Sequence, residues 1–115
     1  MQKFLRISLQ KEGMPDGMAL ALLSGQLTLT HTKLFQTELG KVLESGYTNV
    51  QIDLSNVTYI DSTGLAAFIP IHQKFQEAGG SVSIINPRRL IRHIFTSSKL
   101  DEVLNIGPEL EAGPS

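Results

Sequence analysis

Apolar positions along the 115-residue chain change their period several times, and each change marks an element. Phe4, Ile7 and Leu9 form an imperfect apolar series broken by Arg6 and Ser8 and closed by the turn formers Glu12-Gly13-Met14-Pro15-Asp16-Gly17. That pattern predicts an edge strand and a hairpin connection. Met18 to Leu29 opens with the continuous run "MALALL", the signature of a central strand buried on both faces. The hydroxyl-rich segment Thr28-Leu29-Thr30-His31-Thr32 offers several N-caps. Phe35, Leu39, Val42 and Leu43 then recur at helical spacing until Ser45-Gly46 stops them.

Val50, Ile52 and Leu54 alternate with Gln51 and Asp53, and Val57, Tyr59 and Ile60 follow after Ser55-Asn56, which predicts a second central strand, with a turn at Asn56, that leads directly into the segment beginning at Asp61. Leu65, Phe68, Ile69, His72 and Phe75 fall on one face of a helix that Gly79-Gly80 can end. Pro70 lies inside that helix, where its missing amide should produce a kink. Val82, Ile84 and Ile85 make a short strand. Asn86-Pro87 supplies an N-cap and N1 pair for a third helix with Leu90, Ile91, Ile94 and Phe95 inward. Leu100, Val103, Leu104 and Ile106 form a last helical turn or strand, and the Gly/Pro/Glu-rich segment 107–115 reads as a flexible tail. Strands alternating with helices at this spacing predict an α/β sandwich with parallel strands in its middle.

Composition narrows the possibilities. With 41% hydrophobic and 18% charged residues and no cysteine, the chain suits a single cytoplasmic globular domain, not a disordered or disulfide-stapled one. A net charge of −1 gives no broad attraction to nucleic acid or to an anionic membrane surface. The longest apolar runs fall far short of the roughly 20 residues that a membrane-spanning helix needs. His31, His72 and His93 are far apart in sequence, without carboxylate or cysteine neighbours at ligand spacing, so neither metal nor cofactor is expected. His72 reads as a packed histidine with one nitrogen hydrogen-bonded. Arg88, Arg89 and Arg92 read first as a solvated helical face and second as a contact for an acidic partner.

The stretch richest in chemistry is Tyr59-Ile60-Asp61-Ser62-Thr63-Gly64-Leu65, which joins the second central strand to the second helix. Its short oxygen-bearing side chains make a good helix cap, and that reading needs no function. Two features favour more than a cap: hydroxyls at a strand-to-helix turn occupy the place where α/β folds present functional groups, and Gly64 leaves room for a partner or phosphate to approach. A phosphate on Ser62 would sit at the positive end of the following helix dipole. The segment is not G-x-S-x-G and no P-loop is present, so an enzyme is not expected.

From "VQIDLSNVTYIDSTGL" through "FQEAGGSVSIINPRRLIRHIFTSSKLDEVLNI" the sequence resembles the STAS domain family, and within it the bacterial anti-sigma-factor antagonists. The resemblance runs from "LLSGQLT" to Ile106, so residues 1–106 are expected to form one STAS domain. It implies a mixed sheet of four to five strands, parallel in the centre, with helices mainly on one face. It further implies a partner switch: an anti-sigma factor that is also a serine kinase phosphorylates the serine after the motif aspartate, and a PP2C-type phosphatase reverses this. By position the phosphoacceptor is Ser62, with Thr63 as the alternative. The expected partner surface comprises Thr28, Thr30, Asp61, Ser62, Thr63, Gly64 and Leu65. One departure weakens an implied nucleotide contact: Gln26, Leu27 and Thr28 follow Gly25 where many members carry acidic residues. The alternatives are a STAS subunit of a lipid or anion transport system and a partner switch with a non-sigma target.

Overall fold

In the computed structural model, which describes residues 4–109, Leu5–Gln10 (β1) and Met18–Leu27 (β2) pair as an antiparallel hairpin. Helix α1 (Thr32–Glu44) then carries the chain back, so that β3 (Asn49–Ile60) lies parallel to β2. Two short helices, α2 (Ser62–Ala66) and α3 (Phe68–Glu77), connect β3 to the parallel strand β4 (Ser81–Ile85). Helix α4 (Arg89–Ser97) and a 3₁₀ turn at Leu100–Glu102 lead to the two-residue strand β5 (Asn105–Ile106), parallel to β4. The sheet order is β1-β2-β3-β4-β5. Parallel strands added in one direction through right-handed crossovers put every connecting helix on the same face.

Burial follows from that one-sided cover. Ala19, Ala21, Leu23, Val50, Ile52, Leu54, Val82 and Ile84 are buried beneath the helices. Their alternates Leu20, Leu22, Gln51, Asp53, Ser83 and Ile85 are half-buried on the opposite face. The "MALALL" run is therefore not buried on both faces as its composition predicts. Leu20 and Leu22 lie beside Gln51 and Asp53 of β3 on a sheet face that no helix covers.

The segment at Ser55-Asn56 is also not a turn. Strand β3 runs unbroken to Ile60 but slips register against β2 twice, between Leu22 and Ser24 and between Gly25 and Gln26. Each bulge inserts an unpaired residue and bends the strand. Inward positions in this half fall at Leu54, Val57 and Ile60, while Tyr59 is turned out and 52% exposed. The β3 residues beyond Asp53 have no β4 partner, and the guanidinium of Arg88 donates to the Ser55 carbonyl at 2.9 Å there. Arg92 likewise donates to the Gly107 carbonyl at 3.1 Å, so two of the three arginines brace backbone. Gly107 also donates its own amide to Ile84 at 2.8 Å, which ties down the first residue of the expected tail; residues 110–115 lie outside the described part.

Helix boundaries differ from expectation at two places. Asn86 adopts a left-handed conformation (φ 53°) and donates its side-chain amide to Asp53 at 3.2 Å, so the N-cap of α4 is Arg88 and not Asn86. The predicted second helix is divided at Ala67. Pro70 has no amide to give the Ala66 carbonyl, and the division moves it into the first turn of α3, where a missing donor is tolerated. Gly79 (φ 83°) ends α3 as the sequence predicts. Phe35 of α1, Phe68 of α3 and Phe95 of α4 form an edge-to-face chain with centroids 4.9 and 5.2 Å apart. The half-buried His72 keeps a buried Nδ1 without a hydrogen-bond partner among the described residues, against the expectation of a bonded ring.

Candidate functional site

Leu27 and Ile60 are paired neighbours at the ends of β2 and β3, and the connections leaving them meet over the end of the sheet. Asp61 fastens the two together. Its backbone amide donates to the Leu27 carbonyl at 3.2 Å. One carboxylate oxygen accepts the Gly64 amide at 2.7 Å, capping α2, and the other accepts the Leu29 amide at 3.1 Å. Both are charge-assisted bonds to amides at the start of a helical turn, which would otherwise lack partners. Thr28 to His31 form a 3₁₀ turn ordered from within as well. Nδ1 of His31 accepts the Thr28 amide at 3.2 Å and lies 3.0 Å from the Thr28 hydroxyl, which is itself 3.1 Å from the Thr30 hydroxyl.

The residues expected to form a surface divide into two groups. Thr30, Ser62 and Thr63 are exposed, and Thr28 and Asp61 are half-buried. Gly64 and Leu65 are buried. A Cβ added to Gly64 would stand 2.1 Å from the Leu27 carbonyl oxygen. The glycine thus serves close packing of α2 on the end of β2, not the approach of a phosphate. Leu65 forms part of the floor of a shallow groove bounded by Tyr59, Asp61, Ser62, His93 and Ser97. The helix that begins at Ser62 has only five residues, so its dipole is shorter than the sequence suggests.

The sequence places the loop Thr28 to Thr32 in the expected surface but singles out neither of two apolar side chains at this site. Leu29, whose amide Asp61 holds, is 66% exposed, and Tyr59 is 52% exposed. The signal for Leu29 was an aliphatic residue placed between threonines in a turn that buries none of its residues. For Tyr59 it was the broken alternation after Leu54, which the two bulges explain. Leu34 in the first turn of α1 is likewise exposed, at 45%. Apolar side chains are thus exposed alongside the hydroxyls of Thr30, Ser62 and Thr63. Among the described residues no group of three or more His, Asp or Glu side chains is placed to hold a metal ion, and no helix is long and apolar enough to cross a membrane.

A sheet of this order with a hydroxyl-bearing loop at the end of its central strand defines a class, and the comparisons agree. The family model for the STAS domain matches residues 14–113, and the chain belongs to that family. It is 29% identical over 92 residues to the anti-sigma-B factor antagonist of Bacillus subtilis, an alignment covering 79% of this chain and 83% of that protein. An anti-sigma factor antagonist from Mycobacterium paratuberculosis has the same fold, with a TM-score of 0.78 at 20% identity over 94% of this chain and 89% of that one. The antagonist SpoIIAA of Bacillus shares it too. Its unphosphorylated form gives a TM-score of 0.74 at 16% identity over 90% of both chains. Its phosphorylated form gives 0.67 at 15% identity over 90% of this chain and 93% of that one.

Proposed function

We propose that this chain is an anti-sigma-factor antagonist that works as a phosphorylation-controlled partner switch, with Ser62 as its phosphoacceptor. Unphosphorylated, it binds an anti-sigma factor that is also a serine kinase; phosphorylated, it lets go, and a PP2C-type phosphatase resets it. The observation that carries the reading is the exposed Ser62 hydroxyl next to the carboxylate that joins both loops, with Leu29 exposed on one of those loops and Tyr59 exposed just before the other. The names of the relatives support the same function, and SpoIIAA is known in both an unphosphorylated and a phosphorylated form.

The geometry accounts for why one phosphate would be enough. Asp61 already takes the Gly64 amide, so a phosphate on Ser62 does not inherit that donor. About two further negative charges arrive beside an existing carboxylate and among apolar groups that a partner would desolvate. Release follows from repulsion and from the cost of burying that charge, and the sheet itself is untouched. The same repulsion weakens the bond from Asp61 to the Leu29 amide, which links the switch to the Thr28–His31 turn.

The test is capture from the native cell extract on wild type, Ser62→Ala and Ser62→Asp, with partners and phosphosites read by mass spectrometry. A kinase-like protein is expected on Ser62→Ala and lost from Ser62→Asp. Identical partners on both, with phosphate on neither Ser62 nor Thr63, would reduce the motif to a helix cap. Phosphate on Thr63 alone would move the acceptor by one residue.

A further inference from the structure

Across the groove from Ser62 stands helix α4, which presents His93 and Ser97 there. Nε2 of His93 lies 3.2 Å from the hydroxyl of Ser97, one helical turn on, and both side chains are exposed. The groove is lined by the end of β3 and the start of α2 on one side and by His93, Ile94 and Ser97 of α4 with its C-cap Ser98 on the other. The ionisable groups facing it are therefore Asp61 and Tyr59 from the end of β3 and His93 from α4. No lysine or arginine lines it. A dianion formed on Ser62 meets a carboxylate on its own loop and one side chain able to become a cation, His93.

We infer that His93, with the Ser97 hydroxyl beside it, is the receiving site for a phosphoryl group on Ser62. This rests on the phosphorylation reading above and adds a residue to it. The imidazolium would donate to a phosphoryl oxygen, a charge-assisted bond, and the Ser97 hydroxyl would donate to a second. The phosphate would then be drawn toward α4, and α4 would register the state of Ser62. Cation and dianion favour each other's charged forms, so the pairing fades above the imidazole titration, where the cation is lost, and also below the second phosphate ionisation at about pH 6, where the dianion takes up a proton.

The experiment places phosphoserine at position 62 during synthesis of the full chain, so it does not depend on any cellular kinase. The His93 ring is titrated by proton NMR, with His72 of α3 as the internal reference. With phosphate present, the His93 titration is expected to move to higher pH by about half a unit or more, as for an exposed opposite charge nearby, while His72 stays put. The phosphorus-31 titration of the phosphoserine is expected to move to higher pH in His93→Gln, because the variant removes the cation that favours the dianion. An unmoved His93 titration, or a phosphorus titration unchanged in His93→Gln, overturns the site. Absence of phosphate from both Ser62 and Thr63 in cells overturns the functional reading instead, and the two failures are read in different samples.

Discussion

One oxygen of the Asp61 carboxylate closes the first turn of α2 on the Gly64 amide, and the other holds the Leu29 amide 32 residues away in sequence. Asparagine in its place keeps a single acceptor oxygen, so one of the two amides must face an NH2 group. We expect Asp61→Asn to cost about 1 kcal/mol, the net worth of one hydrogen bond. Asp61→Ala, which loses both the cap and the bridge, should cost about 2 kcal/mol. Urea unfolding gives the order, and amide exchange at Leu29 gives the cause: it should quicken in both variants. Unchanged exchange at Leu29 in Asp61→Ala would show that the turn orders itself through His31 alone. The acid at position 61 was legible as a cap because capping is a local rule. Its second bond was not, since the Leu29 amide comes near only when β2 and β3 pair, a long-range event that spacing does not reveal.

Elements followed local chemistry wherever the controlling contact lay within the same element. The alternation in Val50–Leu54, the helical spacing from Phe35 to Leu43 and the glycine stop at Gly79 all appear as the sequence predicts. The departures occur where a neighbouring element decides. Asn86 gives its side chain to Asp53 on β3 and so does not cap α4. Tyr59 faces outward because β3 is two residues longer than the stretch of β2 it pairs with. Pro70 lies between these cases: its missing amide was legible, but the amount of bending was not. We attribute the division between α2 and α3 to that one absent donor. Pro70→Ala restores an amide within reach of the Ala66 carbonyl, and the expected outcome is one helix from Ser62 to Glu77, read from backbone NMR shifts and an added protected amide at position 70. A division that persists in the variant would assign the bend to packing around Ala67, which is itself buried.

At the scale of the molecule, the fold and the proposed switch draw on different residues. Phe68 stands between Phe35 and Phe95 and is fully buried, so it joins α1, α3 and α4 into one layer over the sheet. Truncating a buried phenylalanine typically costs about 3–5 kcal/mol, a large part of the roughly 5–15 kcal/mol that holds a domain together. Phe68→Ala should therefore lower the urea midpoint steeply with little change in slope, the sign of one cooperative unit losing stability. Amide protection should fall in all three helices together. If α1 kept its protection while α4 lost it, the aromatic chain would be two separate contacts and not a shared core. Ser62 is exposed and supplies no part of that layer, so the Ser62→Asp variant should unfold within about 0.5 kcal/mol of wild type, as surface substitutions usually do. A switch of this kind works only if charge can be added at the rim without cost to the core. The distance in consequence between Phe68→Ala and Ser62→Asp, measured in the same urea titration, is the test of that separation.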